Sequence, residues 1–534
     1  MRLSEAFQQI LPSRGTRLLA AAAIAALAGA CASSQPEFDN RTYTTTASSR
    51  IYEEAFDHLQ ANYIQRVDLR DISVAGVNGL SEIDPDITAM ASAGRSYALK
   101  RGDVETARFE APVDDDVDSW ARTLADAVDA ARARSKLLQD AKPNDVYSAV
   151  LNGVTGTLDQ FSRYEPPKRA SESRARREGY GGIGVTIRDI EDQTVIQEVM
   201  PNTPANAAGL MRGDVITHAD GMALQSLPRE DRAERLRGPI GVPVDVSIQR
   251  EDVAPFTVQV ERDEIVPTTV YFQNDKLLPR FRISAFSRNT AESLADEIAK
   301  AERTSGGLPG IVLDLRGNPG GYLTQAIEVA DLFLEDGIVV ETHGRHPSSS
   351  SNYRARPGAL GADKPIIVLI DGRSASASEL LAAALVDAGR AAAVGSVTYG
   401  KGSIQNLEEL ANGGELIITW SRMHAPSGYL LDGLGVRPTV CTSNGAGTTA
   451  ATMIAAAQRN SALEAASWRT FKAPDADLAD SLRAACPAHD FGDDADLDVA
   501  RSLLQNRQAY EAALTPSDLR PIHATAKRWR AKSG

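Results

Sequence analysis

Between residues 310 and 405 the apolar positions come in unbroken blocks rather than in alternation. Gly310-Ile311-Val312-Leu313-Asp314-Leu315-Arg316, Pro365-Ile366-Ile367-Val368-Leu369-Ile370-Asp371 and the run from Ala391 to Val397 are short and bounded by Gly, Pro or charge. Such blocks predict strands buried on both faces. Between them the spacing turns helical: Leu323, Ile327, Ala330, Leu332 and Phe333 after the first block, then an Ala/Leu run that reaches Asp387 and stops at Gly389. Strand, small-residue turn and helix, repeated, predict parallel βα units and an α/β core. In such a sheet the reacting groups lie beyond the strand C-termini. The turns at those ends are Gly317-Asn318-Pro319-Gly320-Gly321, the run Ser374-Ala375-Ser376-Ala377-Ser378-Glu379, and Thr398-Tyr399-Gly400-Lys401-Gly402-Ser403-Ile404-Gln405.

Other segments keep other rhythms. Residues 180–262 read as a small β-rich unit, with strands at Gly181–Ile187, Thr194–Val199, Val244–Gln249 and Thr257–Glu261 and a short helix after Pro204. Ahead of it the pattern is helical from Ile51, and Val74 to Asp84 is echoed by Val150 to Asp159. The echo is either a local duplication or two helices with one packing demand. Between the copies, Asp114-Asp115-Asp116 leads into an amphipathic stretch from Trp120 to Leu138; it reads as a solvated helical face, since the acidic run lacks the alternating oxygen ligands of a calcium loop. Ser171 to Glu178 reads as a charged connector. A strand at Arg280–Phe286 and a helix at Thr290–Ala301 lead into the core, and Glu415–Met423 adds a later strand. Residues 441–534 are Ala-rich and helical in pattern, with a basic end that reads as a solvated helix terminus.

With 534 residues, the chain has room for several domains. A net charge of −14 argues against nucleic acid as a partner, because phosphate binding needs an excess of Lys and Arg. Arg14 and Arg17 precede the apolar run Leu18–Leu27, which is too short to span a bilayer, and small residues lead to Cys31. This is the pattern of a secretory signal over residues 1–30. Export would place Cys441 and Cys486 in an oxidising compartment, where a disulfide between them becomes possible.

A serine hydroxyl needs a base that is unprotonated at working pH. No Gly-x-Ser-x-Gly elbow is present, and none of the seven His residues adjoins the serine run; His424, near the end of the core, is the histidine to weigh. A lysine serves if burial lowers its pKa, and Lys401 follows a buried block between two glycines. Alone, a Gly-Lys-Gly reads more simply as a turn lysine. Ser376 to Glu379 has capping-box spacing, which puts the Ala377 N–H at a helix start. No metal-ligand cluster or dinucleotide fingerprint stands in the sequence, so no metal or cofactor is implied.

The segments GNPGG, SASASE and TYGKGSIQ, in that order, resemble the C-terminal processing (tail-specific) peptidases over roughly residues 140 to 440. The resemblance implies a crotonase-like serine protease core over 266–440 and a PDZ-like domain over 179–265; the sequence pattern outside it reads as an N-terminal tether and helical region over 31–178 and a C-terminal helical extension over 441–534. It implies Ser376 as nucleophile, Lys401 as base and Gln405 as the group orienting it. The oxyanion donors would be Ala377 with Gly320 or Gly321. In the PDZ-like part it places Gly182, Ile183, Gly184 and Val185 at the loop that binds the carboxylate of a protein tail; Arg212 reads as an exposed turn arginine, the alternative being a pairing with that carboxylate or an acidic neighbour. Cys31 resembles a bacterial lipoprotein site, with Ala28 where that pattern usually has Leu. The expected protein is thus a periplasmic serine endopeptidase, lipid-anchored to the membrane, that recognises C-terminal tails. Its rivals are a crotonase-like peptide-binding protein without catalysis and a crotonase-class acyl-transfer enzyme.

Overall fold

The computed structural model describes residues 42–514, apart from 92–95, 113–115, 276–277, 358–359, 362, 444–447 and 491–493. Cys31 with the signal-like segment, Asp114 and Asp115 of the acidic run, and the basic end from Lys527 to Lys532 lie outside the described residues. Among the described residues no helix is long and apolar enough to cross a membrane.

Helices α1 (Thr45–Asn62), α2 (Leu69–Gly79), α3 (Val117–Arg132), α4 (Lys136–Asp140) and α5 (Pro143–Thr155) form the N-terminal region. The echo in the sequence is a packing demand. A Cβ on Gly79 would stand 2.0 Å from the Ala149 carbonyl oxygen, and one on Gly153 would stand 2.3 Å from that of Ala75. The backbones of α2 and α5 therefore cross at glycine contact, which no larger side chain allows. The region is not wholly helical, as the sequence pattern suggests it to be. An antiparallel meander, β1 (Ile87–Ala91), β2 (Ser96–Arg101) and β3 (Val104–Glu110), is inserted after α2. Its apolar positions are too few and too interrupted to announce three strands, and β3 is largely exposed.

A short strand, β4 (Arg163–Glu165), then leads into α6 (Pro167–Glu178). The charged connector is thus helical, and Pro167 opens it at the first turn, where a missing N–H costs no bond. The β-rich unit follows: β5 (Tyr180–Gly182), β6 (Val185–Ile190), β7 (Gln193–Val199), α7 (Pro204–Ala207), β8 (Val215–Ala219), β9 (Met222–Ala223), α8 (Arg229–Leu236), β10 (Pro243–Gln249), β11 (Phe256–Glu261) and β12 (Asp263–Ile265). Its entry and exit strands, β5 and β12, pair with each other, so the unit hangs from one two-stranded stalk.

The core sheet runs in the order β13 (Val270–Asp275), β14 (Leu278–Ile283), β15 (Ile311–Asp314), β18 (Ile366–Ile370), β19 (Ala391–Gly395) and β22 (Val440–Cys441), parallel from β14 onward. Between these strands lie α9 (Thr290–Ser305), α10 (Leu323–Asp331), β16 (Ile338–Gly344), β17 (Ser351–Arg354), α11 (Ala377–Asp387), β20 (Ser403–Glu409) and β21 (Glu415–His424). Strands β17, β16, β21 and β20 form a second sheet, and β4 adds to it along β21.

The unbroken apolar blocks are explained by two covered faces. Leu313, Val368, Ile370 and Ala393 pack under α9, α10 and α11, while Val312, Ile367, Leu369 and Val394 point the other way. That second face is covered by three helices of the C-terminal extension, α12 (Ala450–Trp468), α14 (Asp494–Gln505) and α15 (Arg507–Ala512), while α13 (Ala476–Arg483) packs with the first face through Ala479. Met453 and Ile454 from α12, Val499 and Leu503 from α14 and Tyr510 from α15 close it. The extension is therefore a layer of the core, and Cys441 is bonded to Cys486 across it.

Candidate active site

The three small-residue turns meet at the C-terminal end of the core sheet. Asn318, fully buried, binds the first turn to its surroundings: its Nδ2 donates to the Ile283 carbonyl at 2.8 Å and its Oδ1 accepts from the Gly320 N–H at 2.9 Å. Its carbonyl accepts from the Ala375 N–H at 3.0 Å and from Ser378 Oγ at 3.0 Å. Ser374 Oγ donates to the Leu315 carbonyl at 2.8 Å. The glycine turn and the serine turn are thereby one hydrogen-bonded body. Ser374 and Ser378 shape it, which leaves Ser376 as the serine of the run that reaches the cleft.

Ser376 holds φ 56° and ψ −115° immediately before α11. Among the described residues the other non-glycine positions with positive φ are Asp, Asn and one Glu, each in a turn outside the cleft lining. The ψ of Ser376 also takes it out of the left-handed helical well, the usual refuge of a residue with positive φ. Strain of this kind persists where surroundings hold it. Here the contact is close: a Cβ on Gly320 (φ 102°) would stand 2.9 Å from the Ser376 Cβ and 3.0 Å from the Ala377 nitrogen.

Glu379 holds the second and third turns together. It is fully buried, and its carboxylate accepts from the Ser376 N–H at 2.7 Å, the Lys401 N–H at 2.8 Å, the Gly400 N–H at 2.6 Å and Thr398 Oγ1 at 2.5 Å. Burial pushes this carboxyl above the usual range, against the pull of the four donors. Its spacing in the sequence shows only a helix cap.

A cleft of ≈ 320 Å³ opens over these turns, lined by Gly321, Ser376, Ala377, Lys401 and Gln405, with an apolar wall from Leu323, Ile404, Leu407, Ile417 and Met423. Burial pushes the Lys401 amine below the ordinary lysine range, and the Arg163 guanidinium pushes it the same way. The Glu379 and Asp159 carboxylates oppose both. Its Nζ lies 5.3 Å from the centre of the Phe161 ring. Gln405 lies in β20 two residues after Ser403, and its Nε2 reaches Ser403 Oγ at 3.4 Å rather than Lys401. Of the two glycines, Gly320 has its N–H committed to Asn318, while the Gly321 N–H has no acceptor among the described residues. His424 stands outside the cleft lining, its ring 4.7 Å from that of His343.

A second groove lies between β6 and α8 of the β-rich unit, lined by Tyr180, Ile183, Gly184, Val185, Ile187 and Leu236 among others. The Ile183 and Gly184 N–H groups have no acceptor among the described residues. Gly184 (φ 85°) leaves room that a Cβ would take from Thr203. Gly182 lies in β5, opposite Asp263, and does not line the groove. Arg212 is exposed and outside the lining; Arg237 is the cation there, stacked 4.5 Å over the Tyr180 ring.

Comparison with known proteins agrees with this layout. The family model for peptidase family S41 matches residues 280–442, and that for the PDZ domain matches residues 181–261. A carboxy-terminal-processing protease of Bartonella bacilliformis is 34% identical over 313 residues, covering 58% of this chain and 72% of that one. A carboxyl-terminal-processing protease of Synechocystis is 33% identical, covering 55% of this chain and 70% of that one. Among solved structures, a photosystem II D1 C-terminal processing protease is 27% identical, with 54% of this chain and 81% of that one covered at a TM-score of 0.33.

Proposed function

The chain belongs to peptidase family S41, the carboxyl-terminal-processing proteases, and from its serine-type peptidase activity we propose a mechanism in which Ser376 and Lys401 form the catalytic dyad. One observation carries this reading: a single buried carboxylate, Glu379, accepts from the backbone N–H of both residues and so holds them at one cleft. Neutral Lys401 takes the proton from Ser376 Oγ as that oxygen attacks the peptide carbonyl. The developing oxyanion meets the N–H groups of Ala377 and Gly321, which have no other acceptor among the described residues. Lys401, now an ammonium, passes its proton to the leaving amine. Water then releases the acyl group with Lys401 again as base. Gln405 enters this scheme only as a cleft residue that can swing to orient the amine. Loss of turnover on replacing either dyad residue by alanine tests the assignment.

The PDZ domain supplies the groove for the substrate's C-terminal tail. Free backbone N–H groups at Ile183 and Gly184 suit a carboxylate, and the β6 edge can pair with an extended peptide. Tail binding then biases the domain toward the arrangement that opens or aligns the cleft, a coupling of ~1–3 kcal/mol in comparable systems. Matched unstructured substrates, one with a free C-terminus and one amidated, are expected to differ, the amidated one being cleaved more slowly. The difference should vanish when residues 180–262 are deleted. Equal rates in the intact protein would leave the domain a structural role only.

The substrates are exported proteins, and the enzyme works in the bacterial periplasm. The signal-like pattern ahead of Cys31 supports this, as does the Cys441–Cys486 disulfide, which needs an oxidising compartment. Acylation at Cys31 anchors the mature chain. Cys31→Ser is expected to release the protein from the membrane fraction or leave it unprocessed. Normal cleavage with unchanged membrane association would rule the anchor out.

A further inference from the structure

The helix that feeds the PDZ domain sits on the wall of the catalytic cleft. Strands β20, β21 and β4 lie side by side, and their register puts Glu409, Glu415 and Glu165 in one cross-strand row. Two residues along, on the same face, the next row is Leu407, Ile417 and Arg163, which all line the cleft. Carboxylates directly opposite one another repel, so the acidic row needs cations laid over it. Helix α6 brings Arg174 and Arg177, spaced to lie on one side of the helix. Arg177 Nη2 donates to both oxygens of the buried Glu415, at 2.8 and 3.1 Å. Arg174 lies 3.5 Å from Glu409 and 3.8 Å from Glu415. Glu165 has its own partner in Arg163, at 2.9 Å.

The seat is polar. Of the 12 residues of α6 only Ala170 and Ala175 are buried, so ion pairs and hydrogen bonds rather than a packed apolar face hold the helix in place. Arg177 itself lines the cleft, and its carbonyl accepts from the Arg288 N–H at 3.0 Å. The neighbouring Glu178 accepts from the hydroxyl of Tyr322, which lines the cleft beside Gly321, at 3.1 Å. Near the start of α6, Lys168 lies 3.5 Å from Asp231 of α8, the helix that walls the tail groove. After the last turn, Gly179 leads straight into β5, the entry strand of the stalk. One short helix therefore touches the groove helix at its start and the cleft at its end.

We propose that α6 is the lever joining the tail groove to the cleft, with Arg177 the positioning residue that couples it to the cleft wall; this rests on the reading that tail binding gates the cleft. A shift of the stalk moves α6 over the acidic row with little apolar contact to break. Arg177 carries that shift to Glu415, one register row from Leu407, Ile417 and Arg163. Glu178 carries it to Tyr322, beside the turn that supplies the Gly321 donor. A tail that binds one position of the domain better than the other thereby also selects one shape of the cleft.

The test measures cleavage of the free-tailed and amidated substrates by the wild type, Arg177→Gln and Arg177→Lys, and binding of a labelled free-tail peptide to each in the Ser376→Ala background. Arg177→Gln should still bind the tail yet cleave both substrates at the same rate. Arg177→Lys keeps a cation on Glu415 and should restore part of the difference. A loss shared equally by both substrates, with the difference between them intact, would leave Arg177 a structural role and overturn the proposal. Hydrogen exchange serves where Arg177→Gln does not fold. In the Ser376→Ala protein a free-tail peptide should alter exchange across residues 167–178 as well as in β6, and protection of β6 alone would overturn the lever. If the wild type cleaves both substrates equally, the gating reading fails and the lever with it; a difference kept by Arg177→Gln sinks the lever alone.

Discussion

Ser376→Ala and Lys401→Ala are each expected to remove nearly all peptidase activity, by about 10⁴-fold or more, while the protein remains folded. Ser376 supplies the attacking oxygen, and no other serine of its turn is free to do so, because Ser374 and Ser378 donate to carbonyls inside the fold. Lys401 supplies the only amine in the cleft lining among the described residues. The double replacement should cost little more than either single one, since a nucleophile without its base and a base without its nucleophile are equally idle. A fluorophosphonate probe adds a second readout. It should label the wild type at Ser376, label Lys401→Ala far more slowly, and leave Ser376→Ala unmarked. Substantial turnover by Lys401→Ala would sink the dyad and return attention to His424, whose ring burial holds below the ordinary histidine range.

The second large effect is expected at Glu379. Replacement by alanine leaves three backbone N–H groups, those of Ser376, Gly400 and Lys401, without their acceptor in a fully buried position. At about 1–3 kcal/mol for each group left unpaired, the loss in unfolding free energy should be of order 3 kcal/mol or more. Glutamine should not rescue it, because its amide presents two donors where one oxygen now accepts. Activity should fall further than stability does, since the same bonds place nucleophile and base. Denaturant unfolding alongside turnover separates the two. A stable, active Glu379→Gln would show that the turns are held by other contacts.

The core strands can be read from sequence because each is apolar at consecutive positions, and the structure shows helices on both faces of that sheet. Ser376, Lys401 and the glycine turn can be placed because all stand at strand ends. Glu379 is visible only as a helix cap, since capping spacing records its bond to Ser376 and nothing local records those to Gly400 and Lys401. Phe161 and Arg163 carry no signal at all. Arg163 reaches the cleft, and Phe161 the Lys401 amine, through the pairing of β4 with β21, a contact between residues some 250 positions apart that periodicity cannot register. The meander β1–β3 escapes for a plainer reason: its outer strand lacks a buried face to impose alternation. The glycine echo, by contrast, is legible as a pattern and becomes intelligible only once α2 and α5 are seen to cross there.

The loop that follows β18 donates from the Gly372 N–H to the carbonyl of His489, at 2.9 Å, and the His489 N–H in turn donates to Ser396 Oγ at 3.1 Å. That strut lies just beyond Cys486, whose bond to Cys441 fixes it to the edge of the sheet. A nascent chain thus completes its serine turn only after the segment near His489 has emerged and folded back. Until the thiols are oxidised, the strut is held by packing and hydrogen bonds alone. The disulfide thereby ties the support of the serine turn to the edge of the core sheet.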